Sequence, residues 1–263
     1  MRNDLPVEVI KNGIYRLNEF DGTNCYLVVG SKKALLIDCG TGFCDIKGAV
    51  ERITNLPVTV AATHGHVDHI GGAGQFEEIY IHKDDCKKIN KLQQSMFMRR
   101  LFTLLNKPVT EHGFSVKDVY KPKFDTTVKE MNGNEIFDLG GKTVTVKHTP
   151  GHSRGSVSFI CQEDNIVFSG DNVCDALWMM LPGATSLEEW LPSAEWLYEM
   201  SSEYDIYWGH RVPKLEKDYI RQVIIWGKEI MALYKSNAKI SKITQYPKQP
   251  DGIIFRTGNI FKK

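Results

Sequence analysis

Five histidines and two aspartates of the kind that bind divalent metals fall along this chain as His64-Gly65-His66-Val67-Asp68-His69, then His152, Asp171 and His210. Imidazole nitrogens and carboxylate oxygens coordinate ions such as zinc, and two ions about 3.5–4 Å apart can hold one hydroxide between them as a nucleophile. The compact cluster follows Val58-Thr59-Val60-Ala61-Ala62-Thr63, an apolar and β-branched run that predicts a buried strand, so the cluster is expected in the loop at that strand's carboxyl end. Gly65 lets the backbone turn tightly there. Alternate residues of an extended stretch point the same way, which lets His64 and His66 reach one ion while Asp68 and His69, past the turn, reach another. Gly71-Gly72 then frees the chain to fold back.

The remaining candidates share one context. Thr149-Pro150-Gly151-His152 ends a strand-like run over 142–148, Phe168-Ser169-Gly170-Asp171 ends one over 165–168, and Trp208-Gly209-His210 ends one over 206–207. Each potential ligand thus lies just past a predicted strand and beside a glycine, where a layered α/β fold gathers its sites.

The elements that must position them are also readable. Apolar runs predict strands over 7–10, 14–17, 25–29 and 34–37, with Asn12-Gly13 a two-residue hairpin turn. Residues 43–54 read as a helix. In the second half, strands are predicted over 126–129, 135–138, 142–148, 156–161 and 165–168, separated by Asn132-Gly133, Gly140-Gly141 and Glu163-Asp164. The rhythm suggests two facing sheets with helices outside, one ββα-type unit from each half. Leu215, Tyr219, Val223, Trp226, Ile230 and Leu233 recur at steps of three and four and predict a long amphipathic helix whose stripe packs on the core. Residues 239–263 form either an edge hairpin or a tail.

Two segments are expected to cover the metal ligands and choose the substrate. The first is a helical insertion near 84–107, with Ile89, Leu92 and Met96 on one face and Phe97, Leu101 and Leu104 on another. Such a helix needs two partners: the core plus a substrate, the core plus a second copy in a homodimer, or a neighbouring helix on which it closes. The second is 174–189, where Trp178, Met179, Met180 and Leu181 exceed what one short loop can bury. Ser186 and Glu189 there match a capping box. Arg154 and Arg211 adjoin ligand segments and could bind a carboxylate or phosphate, although a surface salt bridge is the commoner role. His82, His112 and His148 are read as non-ligands.

Composition excludes several classes. A net charge of +1 over 263 residues gives no general attraction to nucleic acid or anionic membrane. There is no apolar run near the ~18–20 residues that span a bilayer, and the amino end lacks the apolar core of a secretion signal. Six cysteines without C-x-x-C spacing are expected as free thiols in a reducing cytoplasm.

With Leu35-Leu36-Ile37-Asp38-Cys39-Gly40 added, the chain resembles the metallo-β-lactamase fold superfamily from about residue 7 to about 235. The resemblance implies a single domain over 1–263 in an α/β fold, a four-layer αββα sandwich. It implies that His64, His66 and His152 hold a first metal, that Asp68, His69 and His210 hold a second, and that Asp171 bridges them. Asp38 would orient a ligand from behind. An aspartate at position 171 is similar to the thioesterase, lactonase, phosphodiesterase and nuclease branches rather than to true β-lactamases. His66 stands where flavin-partnered di-iron reductases have glutamate. No glutathione-binding helical domain, no tyrosine soon after Asp171 and no basic RNA-gripping extension is visible.

The expected activity is that of a binuclear hydrolase of a small-molecule ester, thioester, lactone or phosphoester. Its nucleophile would be a metal-bridging hydroxide, and Asp68 would pass a proton to the leaving group. Zinc is the expected metal, with iron or manganese as alternatives. An iron-dependent oxidoreductase or sulfur dioxygenase on the same scaffold, and a non-catalytic metal-bound binding module, are the competing readings.

Overall fold

A computed structural model describes residues 5–19, 23–86, 126–211, 214–249 and 251–262. Strands β1 (Val7–Lys11), β2 (Ile14–Asn18), β3 (Asn24–Val29) and β4 (Ala34–Ile37) form an antiparallel meander. Lys11 pairs directly with Ile14, so Asn12-Gly13 is the two-residue turn, and Gly13 adopts the positive φ of 74° that such a turn demands. Helix α1 (Ile46–Ile53) leads to β5 (Val58–Ala61), after which β6 (Glu78–His82) and β7 (Thr127–Met131) extend the sheet in parallel, in simple sequential order. A single helical turn, α2 (Val67–Ile70), follows β5.

The second sheet contains β8 (Ile136–Asp138), β9 (Thr143–His148), β10 (Val157–Cys161), β11 (Ile166–Phe168), β13 (Asp205–Tyr207) and β14 (Lys214–Leu215). Strand β12 (Trp178–Met179) lies apart. It joins the hairpin of β15 (Ile243–Tyr246) and β16 (Ile253–Arg256) in a third, three-stranded sheet. Two longer helices, α3 (Leu187–Met200) and α4 (Lys217–Tyr234), lie in the second half of the chain.

Side-chain alternation sorts the strands into layers. Tyr26, Val28, Leu35, Ile37 and Ala61 of the first sheet meet Val144, Val146, Val157, Phe159 and Phe168 of the second in one buried cluster, which is the interior between the sheets. Their neighbours Leu27, Leu36 and Val60 face the other way and pack with Ile46, Ala49 and Val50 of α1. Val167 and Ile206 turn outward onto Trp190, Leu197, Val223 and Ile230 of α3 and α4. The result is helix, sheet, sheet, helix.

Several elements differ from expectation for physical reasons. Helix α1 begins at Ile46 rather than at 43, because the Phe43 and Cys44 amides donate to the buried Glu19 carboxylate and Asp45 caps the helix by accepting from the Gly48 amide. Strand β7, expected among the strands of the second unit, closes the edge of the first sheet instead, and mostly exposed positions suit it to that edge. On α4 the buried stripe runs through Ile220, Val223, Ile224, Trp226, Gly227 and Ile230, while Leu233 is exposed. Gly227 is required there: a Cβ would lie 2.6 Å from the Trp190 ring. The stretch from 239 onward forms a hairpin. The insertion expected near 84–107 lies outside the described residues from 87 on. Among the described residues, no helix is long and apolar enough to cross a membrane.

Candidate metal centre

Strand β5 delivers Thr63 and the histidine cluster into the space at the carboxyl ends of both sheets. His64 is 1 % exposed and His69 is fully buried, and α2 carries Asp68 and His69, whose ring centroid lies 4.1 Å from that of His64. Gly71 and Gly72 follow in close contact with the loop after β4, since a Cβ would lie 2.2 Å from the Thr41 carbonyl oxygen at Gly71 and 2.1 Å from that of Cys39 at Gly72.

Three ring nitrogens converge first. His64 Nε2 is 2.9 Å from His66 Nδ1, which is 2.8 Å from His152 Nε2. Ligand atoms around a tetrahedral ion with bonds of ~2.0–2.1 Å lie about 3.3 Å apart, so these nitrogens are close to enclosing one. His152 is held through Asn172: its amide donates to Asn172 Oδ1 at 3.0 Å, while Asn172 Nδ2 donates to the Thr149 carbonyl at 2.6 Å and Trp190 Nε1 donates to the Asn172 carbonyl at 2.8 Å.

Asp68, His69 and His210 form a second set, with Asp68 Oδ2 3.8 Å from His69 Nε2 and 3.5 Å from His210 Nε2. Asp171 stands between the sets. Its Oδ2 lies 3.0 Å from His210 Nε2, 3.4 Å from His69 Nε2 and 3.8 Å from His152 Nε2. The other oxygen, Oδ1, is buried and accepts no hydrogen bond, and a Cβ at Gly209 would sit 2.3 Å from it. Two trios of nitrogen and oxygen donors with a carboxylate between them fit a pair of divalent ions.

Asp38 supports the centre from beneath. It has a left-handed backbone (φ 61°), its Oδ1 accepts the Thr63 amide at 2.7 Å, and its Oδ2 lies 2.8 Å from His69 Nδ1. That contact assigns the Nδ1 proton of His69 and turns Nε2 toward Asp68 and Asp171. His210 is fixed across the sandwich, where the Asn24 amide donates to the Gly209 carbonyl at 2.7 Å and the Tyr26 hydroxyl donates to the Trp208 carbonyl.

The two sets differ in charge state. Burial, then the neighbouring His69, His66 and His152, holds the His64 imidazole well below its ordinary 6.5, and burial likewise lowers His152. Burial also works against charge on His69 and His210, but Asp171 outweighs it with help from Asp38 at His69 and from Asp68 at both, and both imidazoles lie above 6.5. Asp171 is the counterpart: burial opposes its charge, yet His210 and His69 hold it well below 3.8.

The other sequence candidates scatter. Phe97 lies outside the described residues, as does His112. Met179 is 2 % exposed and belongs to the core beside Leu177, Ile253 and Phe255, so it forms no wall open to substrate, whereas Trp178 is 45 % exposed. Arg211 pairs with Asp175 at 3.0 Å on the surface, and Arg154 is exposed. His82 and His148 stack with ring centroids 4.1 Å apart and planes 10° from parallel, close to Asp84. Lone pairs in stacked planes run side by side rather than converging on one ion.

Three buried residues escaped sequence reading: Glu19, Asp85 and Asn172. Glu19 accepts from the amides of Thr41, Phe43 and Cys44 and from the Thr41 hydroxyl, fixing the loop that Gly71 touches. An acidic residue in sequence carries no mark of burial. Asn172 alone had a signal, its position directly after Asp171.

The chain is similar to known proteins in sequence and in fold. The chain is 26 % identical over 241 residues to an acyl-coenzyme A thioesterase, MBLAC2, of Gallus gallus, covering 83 % of this chain and 85 % of that protein. It is 30 % identical over 156 residues to an atrochrysone carboxyl ACP thioesterase of Aspergillus terreus, covering 58 % of this chain and 39 % of that one. A metallo-beta-lactamase family protein of Thermus thermophilus superposes with a TM-score of 0.61 at 18 % identity, over 94 % of this chain and all of that one, a likeness of fold. The profile of the metallo-beta-lactamase superfamily matches residues 18–210, which run from the end of β2 to the last histidine of the centre, and the chain belongs to that superfamily.

Proposed function

We propose that this chain, a metal-dependent hydrolase, cleaves the thioester of an acyl group carried on coenzyme A or on a carrier protein's pantetheine arm. The observation that carries the reading is Asp171 Oδ2, which lies within 3.8 Å of donor atoms from both trios. Two divalent ions, zinc in the first instance, would acidify a water and polarise the substrate carbonyl. The thioester choice draws support from the thioesterase relatives, the first of which aligns over most of both chains.

The protein's own groups divide the work. His64, His66 and His152 would hold one ion, and Asp68, His69 and His210 the other. Asp38 keeps His69 in the tautomer that offers Nε2. Asp68 has the more accessible carboxylate, with 14 % side-chain exposure against 9 % for Asp171, and it is placed to take a proton and return it to the departing thiolate. The six cysteines are all buried free thiols, which suits a reducing cytoplasm.

The test is metal analysis of protein purified without added metal, paired with a panel of short and long acyl-CoA thioesters, an oxygen ester, a lactone and a phosphodiester. About two zinc or manganese ions per chain, with thioester turnover that chelation abolishes and metal restores, is expected. Iron with no hydrolysis, or turnover confined to the lactone or phosphodiester, would overturn the thioesterase assignment.

A further inference from the structure

The first trio is split between two loops, one after β5 carrying His64 and His66 and one after β9 carrying His152. One buried side chain outside both loops, Asp85, hydrogen-bonds to each. Asp85 follows β6, is fully buried, and belongs to neither ligand trio. Its Oδ2 accepts the Gly65 amide at 2.9 Å, from the residue between His64 and His66, and the Ser153 hydroxyl at 2.6 Å, from the residue after His152. Ser153 is held in turn by Ser156, whose Oγ accepts the Ser153 amide at 3.0 Å and lies 2.9 Å from Ser153 Oγ.

The packing is as specific as the hydrogen bonds. A Cβ at Gly65 would lie 3.1 Å from Asp85 Cβ, and one at Gly155 would lie 2.7 Å from Asp85 Cγ. Each loop therefore presents a glycine that lets the carboxylate in. A buried carboxylate costs more than an apolar side chain of its size unless what it bonds repays the desolvation, and here both bonds end one residue from metal ligands.

We propose that Asp85 is a positioning residue that fixes the spacing of the two loops, and through it the convergence of His64, His66 and His152. The inference rests on the reading that this trio holds an ion. Groups that orient ligands from outside commonly change metal affinity by about 10–100-fold, and nitrogens 2.8–2.9 Å apart leave little room for loop drift.

The experiment is competition with a chromophoric zinc chelator on the full-length chain, in a His210→Ala background that leaves only the first trio and in a His66→Ala background that leaves only the second. Circular dichroism and melting of the metal-free protein accompany each variant. Asp85→Ala should weaken zinc at the first trio by about 10–100-fold and leave the second unchanged. Asp85→Asn, which keeps an acceptor oxygen, should recover part of the loss, and Ser153→Ala should cost severalfold. A folded Asp85→Ala that binds as the parent does, or that loses both ions equally, overturns the inference. If Asp85→Ala does not fold, parent-like affinity in both Asp85→Asn and Ser153→Ala overturns it instead. A parent chain that binds zinc at neither trio would remove the reading that these trios hold the ions as well, whereas parent and variants that all bind alike would remove this inference alone.

Discussion

Before any ion arrives the two trios hold opposite charge states, and proton release on binding should expose the difference. His64 and His152 lie below 6.5, so near neutral pH they are already in the unprotonated form that ligates. At most one proton can then leave the first trio. His69 and His210 lie above 6.5, driven there by Asp171 against the effect of burial, so each holds its proton more tightly than an ordinary imidazole and must give it up to bind. Release of up to two protons makes log K rise by up to about 2 per pH unit, or roughly 2.8 kcal/mol per unit at about 1.4 kcal/mol per proton. The sign follows directly: acidification weakens the second trio from the raised values of His69 and His210 downward. The first stays insensitive, as far as His64 and His152 are concerned, until pH falls to their depressed values. Isothermal titration in two buffers of different ionisation enthalpy, with His210→Ala isolating the first trio and His66→Ala the second, counts the protons. Release from the first trio equal to or greater than that from the second would refute the reasoning.

Asp68→Asn should lower thioester turnover by about 10²–10⁴-fold with a much smaller loss of bound metal, read by kinetics beside elemental analysis, whereas parallel losses would make Asp68 only a ligand. Glu19→Ala leaves the buried amides of Thr41, Phe43 and Cys44 without their acceptor, at about 1–3 kcal/mol each less what entering water recovers. Chemical denaturation of the metal-free chain should show a loss of roughly 3–5 kcal/mol. Gly209→Ala puts a methyl 2.3 Å from Asp171 Oδ1 and 2.6 Å from His69 Cε1, so metal affinity at the second trio should fall about 10–100-fold with the metal-free melting curve little changed.

The residues that gather at the candidate metal centre were legible because their chemistry is local. His64 to His69 occupy six consecutive positions, and His152, Asp171 and His210 each follow a strand whose apolar pattern is visible. The same patterns located the strands, since Tyr26 and Val28 differ from Leu27 only in which side of a sheet they face. What stayed hidden depends on partners distant in sequence. Asp85 reaches Ser153 and Glu19 reaches Thr41, and neither acidic residue differs in type from an exposed one. Met179 looked like a lining residue because a short loop could not bury it. It is buried by Phe255, whose strand runs parallel to it. Leu233 kept the helical spacing but is 64 % exposed, and Ile224, beside Val223, took a buried place that the steps of three and four skipped.

The third sheet also orders events in time. Strand β12, in the segment between Asp171 and α3, gains its partner only from β16. Further ties run the same way: the Ile254 amide donates to the Leu177 carbonyl at 2.8 Å, Arg256 Nε to the Met180 carbonyl at 2.7 Å, and Asn259 Nδ2 to the Thr185 carbonyl at 2.8 Å. All seven metal-binding candidates leave the ribosome before any of these donors. A nascent chain can therefore assemble both sheets and the ligand loops while the stretch beside Asp171 still lacks its brace. Closure of that side becomes a late, long-range step, of the kind that sets folding rate more than stability.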